Sequence, residues 1–328
     1  MTVDATPAIF VTGLRKEYGR KVALHELTLA VPRGEVFGFL GPNGAGKTTA
    51  VKLLTGLAKP TSGRGELLGR PLGDLEARRR LGFLPELFRF HEWLSANELL
   101  SLHADLFGMA AAARRKRIPE VLDLVGLADR GKDRVGTFSK GMQQRLGLAQ
   151  ALLNQPELVI LDEPTSALDP IGRRDVRVII QQLKSQGVAV FLNSHLLSEI
   201  ELVCDRVAIV DHGRVVQEGK LDELLALGHE LELRVAGLTD VVLDQLRQRW
   251  TVRESSKSGE GWRMVLAVSQ AEEAAEVTRF LVSHFVDLLE LRPRRTNLED
   301  LFLQWVQAEE GEGGHLDLRP ADAARSVA

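Results

Sequence analysis

The chain has 328 residues, of which 44% are hydrophobic and 27% are charged, and this size predicts two folded domains. Its 42 basic and 45 acidic side chains leave a net charge of −3, which disfavours nucleic acid as a partner. The single cysteine, Cys204, excludes an internal disulfide and fits a reducing compartment. No apolar run approaches the roughly 20 residues that span a bilayer, and the start "MTVDATPAIF" is unlike a signal peptide. We therefore expect a soluble chain, whose role at any membrane comes from a partner.

The first two thirds of the chain, from Ile9 to about Gly219, alternate short β-branched runs with helical patterns. This rhythm predicts an α/β fold with a mostly parallel sheet covered by helices. The first segment instead carries several short strand patterns with turn signals at "YGR" and "PRG", which predicts an antiparallel edge. The buried strands are predicted at Val36–Leu40, Leu81–Pro85, Leu158–Asp162, Val188–Ser194 and Arg206–Asp211.

Domain boundaries follow from where these patterns change. Residues 9–220 form the first predicted domain, with a helical subdomain at about 87–150. Between Leu94 and Ala128, leucines and alanines recur at spacings of three and four. Residues 221–310 restart with the order βαββαβ and a terminal helix, which predicts a small α+β domain. We expect residues 1–8 to be flexible and 311–328 to be disordered, since the tail has few large apolar residues.

A phosphate-binding loop is predicted between the strand at Val36–Leu40 and the helical pattern after it. The segment matches the pattern G-x-x-x-x-G-K-[ST] at every defined position. Glycines let successive backbone N–H groups point into one concavity, and the following helix adds the positive end of its dipole. Lys47 is expected to bridge the β- and γ-phosphates, and the Thr48 hydroxyl to ligate Mg²⁺. The predicted phosphate contacts are Gly41, Pro42, Asn43, Gly44, Ala45, Gly46, Lys47, Thr48 and Thr49.

Two adjacent carboxylates end a second buried strand, in "LVILDEP". Asp162 is expected at the carboxyl edge of the sheet, where ligands of open α/β sheets bind, and can hold Mg²⁺ through water. Glu163 follows directly and is expected to polarise a water molecule against the γ-phosphate as a general base. An isolated "DE" would be read as a solvated strand end. Together with the phosphate loop, it predicts a hydrolytic site.

Three further segments, "TFSKGMQQRLGLAQALL", "SALD" and "NSHLLSE", complete a set of motifs. With the phosphate loop, their order and spacing resemble the nucleotide-binding subunit of an ATP-binding-cassette (ABC) transporter, from about Ile9 to Gly219. The resemblance implies a P-loop NTPase of the ABC type, with ATP and Mg²⁺ as ligands and ATP hydrolysis coupled to transport.

The resemblance also implies roles for particular residues. Ser139 and Gly141 align with the family signature, which meets the γ-phosphate held by a second subunit, so that two copies pack head to tail. Asp169 of "SALD" is expected at that interface. His195 matches the histidine that contacts the γ-phosphate, and Tyr18 matches the aromatic side chain that stacks on adenine.

The chain departs from the family pattern at two places. Phe138, Lys140 and Met142 replace residues of the usual signature Leu-Ser-Gly-Gly-Gln, and the resulting "SKGM" resembles the drug- and antibiotic-export branch. Glu86 stands where the family has glutamine, in the loop that links the site to the membrane partner. A carboxylate can still ligate Mg²⁺, so Glu86 joins Thr48 and Asp162 as an expected metal ligand.

The leading hypothesis is an exporter ATPase that lies on the inner face of the membrane through separately encoded membrane subunits. A soluble cassette ATPase that acts on ribosomes or DNA is the alternative, although such proteins usually carry two cassettes or a long coiled-coil insertion. A GTPase is disfavoured because no N-K-x-D segment is present, and a small-molecule kinase because no acceptor site or lid is recognisable. For the C-terminal domain, a dimer-stabilising or structural role is favoured over ligand sensing, because it carries no site motif.

Overall fold

A computed structural model describes residues 6–166, 168–226, 229–259, 261–268, 273–295 and 297–311. The chain folds into two compact units, and the boundary between them lies between Leu224 and Leu225. The strands of the first unit are β1 Ile9–Tyr18, β2 Lys21–Val31, β3 Val36–Leu40, β4 Ser62–Leu67, β5 Arg70–Pro71, β6 Leu81–Leu84, β7 Leu158–Asp162, β8 Ala189–Asn193, β9 Arg206–Asp211 and β10 Arg214–Lys220. Its helices are α1 Lys47–Leu54, α2 Leu75–Arg79, α3 Ala96–Leu106, α4 Ala111–Leu124, α5 Lys140–Leu152, α6 Pro170–Ser185, α7 Leu197–Val203 and α8 Leu221–Ala226, which continues across the boundary.

The first unit is built on one mixed sheet with the strand order β5-β4-β1-β2-β10-β9-β3-β8-β7-β6. Strands β9, β3, β8, β7 and β6 run parallel to one another. Strands β1, β2, β4 and β5 pair antiparallel and form the predicted edge. The predicted α/β P-loop class with an antiparallel edge is therefore confirmed.

The parallel strands form the centre of the core. Every residue of β3, β7 and β8 is buried, as expected for strands covered by helices on both faces. Phe191 on β8 stacks on Phe37 with ring centroids 6.1 Å apart, and lies 5.1 Å from the ring of Phe39. This aromatic layer fixes β8 against β3, and so fixes the loops that follow both strands.

Helices α3, α4 and α5 lie within the predicted helical segment. Ser95 begins α3 with a capping box, since its hydroxyl accepts the Glu98 N–H while the Glu98 carboxylate accepts the Ser95 N–H. Residues 87–94 are not helical, and α3 begins at Ala96, close to Leu94, where the helical pattern of the sequence begins.

The second unit has strands β11 His229–Ala236, β12 Thr251–Ser258, β13 Gly261–Ala267 and β14 Asp287–Arg295, and helices α9 Asp240–Arg249, α10 Glu273–Ser283 and α11 Leu298–Gly311. The antiparallel sheet has the order β12-β13-β11-β14, which is the arrangement of a split βαβ fold. Alternate residues of β11, Leu231, Leu233 and Val235, enter a core with Phe280 and Leu281 of α10.

The other face of this small sheet carries charged pairs between neighbouring strands. Glu232 accepts a hydrogen bond of 2.7 Å from Arg263 on β13. Arg234 lies directly opposite Glu290 in the register with β14, with their charged atoms 3.6 Å apart. Such exposed pairs contribute little stability singly, but they satisfy the charges of this face within the unit.

The ends of the chain differ in part from the predicted boundaries. Ala8 is fully buried, and its backbone N–H and carbonyl bond to Val31 and Leu68, so the ordered chain begins before the predicted residue 9. Residues 1–5 lie outside the described residues, and so does the predicted disordered tail of 311–328, except for Gly311, which is the last residue of α11. Across the part of the chain that is described, no helix combines the length and hydrophobicity needed to cross a bilayer.

We predict that Phe191→Ala destabilises the first unit by about 3–5 kcal/mol, because it removes a fully buried ring and leaves a cavity against Phe37. Phe285→Ala makes the same chemical change at a side chain that is 93% exposed, and should change the stability by less than about 0.5 kcal/mol. Denaturant unfolding followed by circular dichroism measures both. Equal effects of the two substitutions would contradict the assigned core.

Candidate nucleotide-binding site

Four neighbouring parallel strands bring the predicted site residues to one edge of the sheet. The order β3-β8-β7-β6 places the carboxyl ends of these strands side by side. The loop after β3 carries the glycine-rich segment, and Glu86 follows β6. Asp162 ends β7, and His195 follows β8. Residues far apart in the chain thus share the edge at which open α/β sheets bind ligands.

The glycine-rich loop forms a tight cradle that side chains could not enter. Gly44 and Gly46 have φ angles of +90° and +96°, in the left-handed region that favours glycine. A Cβ on Gly41 would lie 2.2 Å from the carbonyl oxygen of Val210, and one on Gly46 would lie 2.6 Å from that of Ala23. The backbone is therefore packed closely from behind, while Asn43 and Gly44 face solvent.

The hairpin between β9 and β10 supports this loop. The N–H of Gly213 donates a hydrogen bond of 2.9 Å to the carbonyl oxygen of Ala45. Gly213 itself has a φ of +73° and lies so close to β2 that a Cβ would meet the backbone nitrogen of His25 at 2.5 Å. The sequence pattern "DHGR" predicts a turn, but not that this turn underlies the phosphate loop.

Lys47 begins α1 and folds back over the loop. Its Nζ donates hydrogen bonds of 2.6 Å and 3.0 Å to the carbonyl oxygens of Gly41 and Pro42. Burial lowers the pKa of the Lys47 ammonium, whereas the charges of Glu163, Asp162 and Glu86 act to raise that pKa. Three carboxylates from two other loops therefore lie within electrostatic range of this ammonium group. Thr48 and Thr49 follow in the first turn of α1, with Thr48 exposed.

Asp162 is buried and is held by a residue that the sequence reasoning did not single out. The Nδ2 amide of Asn193, at the end of β8, donates a hydrogen bond to Oδ1 of Asp162. Burial raises the pKa of Asp162, and the bond from Asn193 partly offsets that increase. The signal that could have revealed Asn193 is a polar amide that ends an otherwise apolar strand, next to the strand that ends in Asp162.

Glu163 combines burial with an uncommon backbone conformation. Its φ is +54°, which costs a non-glycine residue about 1–2 kcal/mol, and its N–H donates to the carbonyl oxygen of Asn193 at 2.9 Å. Oε2 of Glu163 lies 2.8 Å from Nδ1 of His195, although the angle between them is not that of a hydrogen bond. The buried carboxylate thus faces a half-exposed imidazole, which is an arrangement suited to a general base.

The residues of this edge fit a magnesium ion and phosphate groups. Mg²⁺ prefers oxygen ligands and usually retains several water molecules, so one or two carboxylates and a hydroxyl suffice alongside phosphate oxygens. Asp162 and Glu86 lie close enough for the charge of Glu86 to raise the pKa of Asp162. Oε2 of Glu163 and Oδ1 of Asn193 are both buried without a hydrogen-bond partner in the described structure. The donor set and these acceptors are compatible with hydrated Mg²⁺.

Three other predicted residues lie on separate elements. Ser139 caps α5, since its hydroxyl accepts the Met142 N–H at 3.3 Å, and Asp169 caps α6 by accepting the Gly172 N–H at 2.7 Å. A Cβ on Gly141 would touch Leu168, so the start of α5 lies against the segment that precedes α6. Tyr18 ends β1 and is 48% exposed, with the ammonium of Lys16 4.9 Å from its ring centroid.

Comparison with known proteins agrees with this geometry. The family described as "ABC transporter" matches residues 24–166. An uncharacterized ABC transporter ATP-binding protein of Nostoc sp. is 42% identical over 94% of this chain and 93% of its own length. The bacitracin transport ATP-binding protein of Bacillus licheniformis is 36% identical over 91% of this chain and 97% of its own length. A dimeric ATP-binding cassette, solved in a post-hydrolysis state with ADP and Pi, is 28% identical with a TM-score of 0.59, over 65% of this chain and 98% of that chain.

We predict that Gly46→Ala weakens ATP binding by more than about tenfold, because the new methyl group would displace the loop from the backbone of Ala23. Gly187→Ala is the matched control, since Gly187 also has a positive φ, +78°, but has no atom within 4 Å of an added Cβ. That control should lose stability through backbone strain and keep its affinity for ATP. Titration with a fluorescent ATP analogue measures both. Unchanged affinity in the Gly46 variant would contradict the assigned cradle.

Proposed function

We propose, from the premise that the chain belongs to the family of ABC transporter ATP-binding proteins, that its ATPase cycle drives export through separate membrane subunits. The chain binds and hydrolyses ATP as a subunit of an ABC transporter, and its relatives include a bacitracin transport ATP-binding protein and a Nod factor export ATP-binding protein. The observation that carries the proposal is the group of Lys47, Asp162, Glu163 and Glu86 at one edge of the sheet.

Phosphate binding begins with the loop and Lys47. We assign the backbone N–H groups of residues 41–49 to the phosphates of ATP, where the positive end of α1 adds to the attraction. Lys47 exchanges its two bonds to the loop carbonyl oxygens for contacts with the β- and γ-phosphates. Since these bonds are to neutral carbonyl groups, the exchange for anionic oxygens favours the bound state. Tyr18, at the exposed end of β1, stacks on adenine.

Thr48, Asp162 and Glu86 are assigned to Mg²⁺, with Asp162 acting through a water molecule. When bound by these residues, the ion would supply positive charge against the negative charge that develops on the phosphates. The carboxylate of Glu86 adds one negative charge where the family carries a neutral glutamine, so we expect this site to attract a divalent cation more strongly.

Glu163 is assigned as the general base. Its carboxylate accepts a proton from a water molecule as the water oxygen forms a bond to the γ-phosphorus, and the bond from that phosphorus to the ADP oxygen breaks. His195 faces the same carboxylate at 2.8 Å, which suits it to orient Glu163 and to contact the γ-phosphate. The backbone of Glu163 is strained, because its φ is +54°. Such strain is often found at functional sites, and here it lies at the residue whose carboxylate must be fixed.

A second copy of the chain completes the pocket in this proposal. Ser139 and Gly141 lie at the start of α5, and Asp169 begins α6 after the loop that follows Asp162. The first turn of α5 has backbone N–H groups that can donate to an anion. In the proposal, this anion is a phosphate of the nucleotide bound by the other copy. A two-fold, head-to-tail dimer brings each such surface to the γ-phosphate bound by the other copy. The related cassette with ADP and Pi is itself dimeric.

Membrane subunits are proposed to bind near the loop that carries Glu86. A groove of 290 Å³ lies between this loop and α3, with Pro85, Phe88, Phe90, Leu102 and Leu106 among its lining residues. Its apolar lining suits a short helix from a partner. The closing and opening of the dimer around ATP would be transmitted to the membrane subunits through this contact. The same contact would hold the chain on the inner face of the membrane. Among the described residues, no feature favours the alternative of action on ribosomes or DNA.

We predict that Glu163→Gln retains Mg-ATP binding, lowers kcat by about 10²–10⁴-fold and traps a stable dimer, because the amide cannot accept the proton from water. Glu223→Gln removes an exposed carboxylate paired with Lys220 and should behave like the wild type. Lys47→Ala should lose ATP binding. Phosphate release and ultracentrifugation measure these outcomes, and normal turnover in the Glu163 variant would remove that residue from the mechanism.

The head-to-tail arrangement predicts a specific cross-link. Chains with Asn43→Cys and chains with Lys140→Cys, both at exposed positions, should be joined by a bifunctional maleimide when they are mixed with ATP in the Glu163→Gln background. Native Cys204 can remain, because it is partly buried and burial raises the pKa of its thiol, so it should react more slowly than the two exposed cysteines. Either single variant alone should give little covalent dimer on a denaturing gel. Efficient cross-linking of one variant to itself would contradict the arrangement.

A further inference from the structure

We propose that Asn193 is a positioning residue of the ATPase reaction, which fixes Asp162 and Glu163 and accepts a hydrogen bond from a water molecule in the loaded site. The inference rests on the proposed function and deepens it. Neither the glycine-rich loop nor the carboxylate motif includes this residue, and in the segment "NSHLLSE", which it begins, only His195 has an expected role.

The strand register places Asn193 beside Asp162. Strands β7 and β8 are parallel, and the two residues are Cα partners at the ends of these strands. The other residues of β8, "AVFL", are apolar and buried, so a polar amide at this position is not required by the core. Asn193 is only 2% exposed, and a buried amide without hydrogen bonds destabilises the fold. We therefore expect both the nitrogen and the oxygen of this amide to have hydrogen-bond partners in the working protein.

The orientation of the amide follows from its partner. An ionised carboxylate only accepts hydrogen bonds, so the Nδ2 group of Asn193 must face Oδ1 of Asp162. Oδ1 of Asn193 must then face away from that bond, and no donor reaches this buried oxygen within the described structure. Oε2 of Glu163 is likewise buried and makes no hydrogen bond, although Nδ1 of His195 lies 2.8 Å from it. Oδ1 of Asn193 and Oε2 of Glu163, at the ends of neighbouring strands, can therefore each accept a hydrogen bond. In the proposal, water molecules that enter with Mg-ATP donate these bonds.

The backbone of Asn193 holds the second carboxylate. Its carbonyl oxygen accepts the Glu163 N–H at 2.9 Å, at the residue whose φ is +54°. Because this backbone conformation is strained, the bond helps to keep Glu163 turned toward His195. One residue thus fixes the metal-side carboxylate through its side chain and the general base through its main chain. Only the first of these contacts is lost when the side chain is replaced.

Asn154 provides a matched control in the same unit. Its Nδ2 group also donates to protein acceptors, the carbonyl oxygens of Arg79 and Leu81, and its Oδ1 is also buried without a partner. It lies beside the first residue of β6, at the opposite edge of the sheet from the site. If Asn193 had only a structural role, replacing it and replacing Asn154 should both lower stability and leave the ATPase reaction unchanged.

The test compares Asn193→Leu with Asn154→Leu in the full chain. Leucine keeps a similar volume and removes donor and acceptor together. The affinity for a fluorescent ATP analogue is measured with EDTA and again with Mg²⁺, and kcat and KM are measured separately. We expect Asn193→Leu to bind metal-free ATP like the wild type, to lose about 10–100-fold of the gain in affinity that Mg²⁺ provides, and to lose kcat by a similar factor with little change in KM.

Asn154→Leu should lose thermal stability without losing the Mg²⁺ gain or kcat. If the leucine at 193 prevents folding, judged by the loss of cooperative unfolding, Asn193→Ala provides the same readouts without added bulk. A folded Asn193 variant that keeps both the Mg²⁺ gain and kcat would overturn the proposal, and so would equal losses in the Asn154 variant. Absence of hydrolysis in the wild type would instead contradict the proposed function.

Discussion

One buried ammonium group among three carboxylates is the constraint on which the first unit depends. Lys47, Asp162, Glu163 and Glu86 interact electrostatically at the carboxyl edge of the parallel strands, and all but Glu86 are buried. Burying such charges is unfavourable unless each has partners. The loop carbonyls hold Lys47, and Asn193 holds Asp162. The excess of negative charge suits a divalent cation, which makes the same arrangement both a cost to folding and the basis of ligand binding.

The surrounding fold keeps this charged edge in place. The aromatic layer of Phe37, Phe39 and Phe191 fixes β3 against β8, and the hairpin after β9 supports the phosphate loop from behind. The strained conformation of Glu163 persists because β8 supplies a partner for its N–H. Rigid strands thus set the positions of side chains that loops alone would leave variable, as precise catalytic geometry requires. In the proposed dimer, the surface at the starts of α5 and α6 meets the nucleotide that the other copy binds.

The second unit has a different character. Its core is formed by one face of an antiparallel sheet and two helices, and charged side chains pair with one another across the opposite face. In the described residues of this unit, no group of histidines, cysteines and carboxylates could hold a metal ion. A structural or dimer-stabilising role, favoured from the sequence over ligand sensing, stays a prediction for this unit.

Much of this protein is determined by local sequence. The spacing of glycines and Lys47, the apolar strand before Asp162 and the alternation in β11 reflect chemistry and periodicity that are legible within a few residues. The α/β class and the family were therefore predictable, as was the βαββαβ order of the second unit.

Tertiary structure alone decided which strands became neighbours. Periodicity shows that β3, β7 and β8 are buried, but not that β8 lies between the other two, since pairing depends on contacts between distant segments. That order brings Asn193 to Asp162 across 31 positions and gives Glu163 its backbone partner. It also sets Val210 and Gly213 behind the phosphate loop. The sequence therefore determined which groups could react, and the packing of the sheet decided which residues hold them in place.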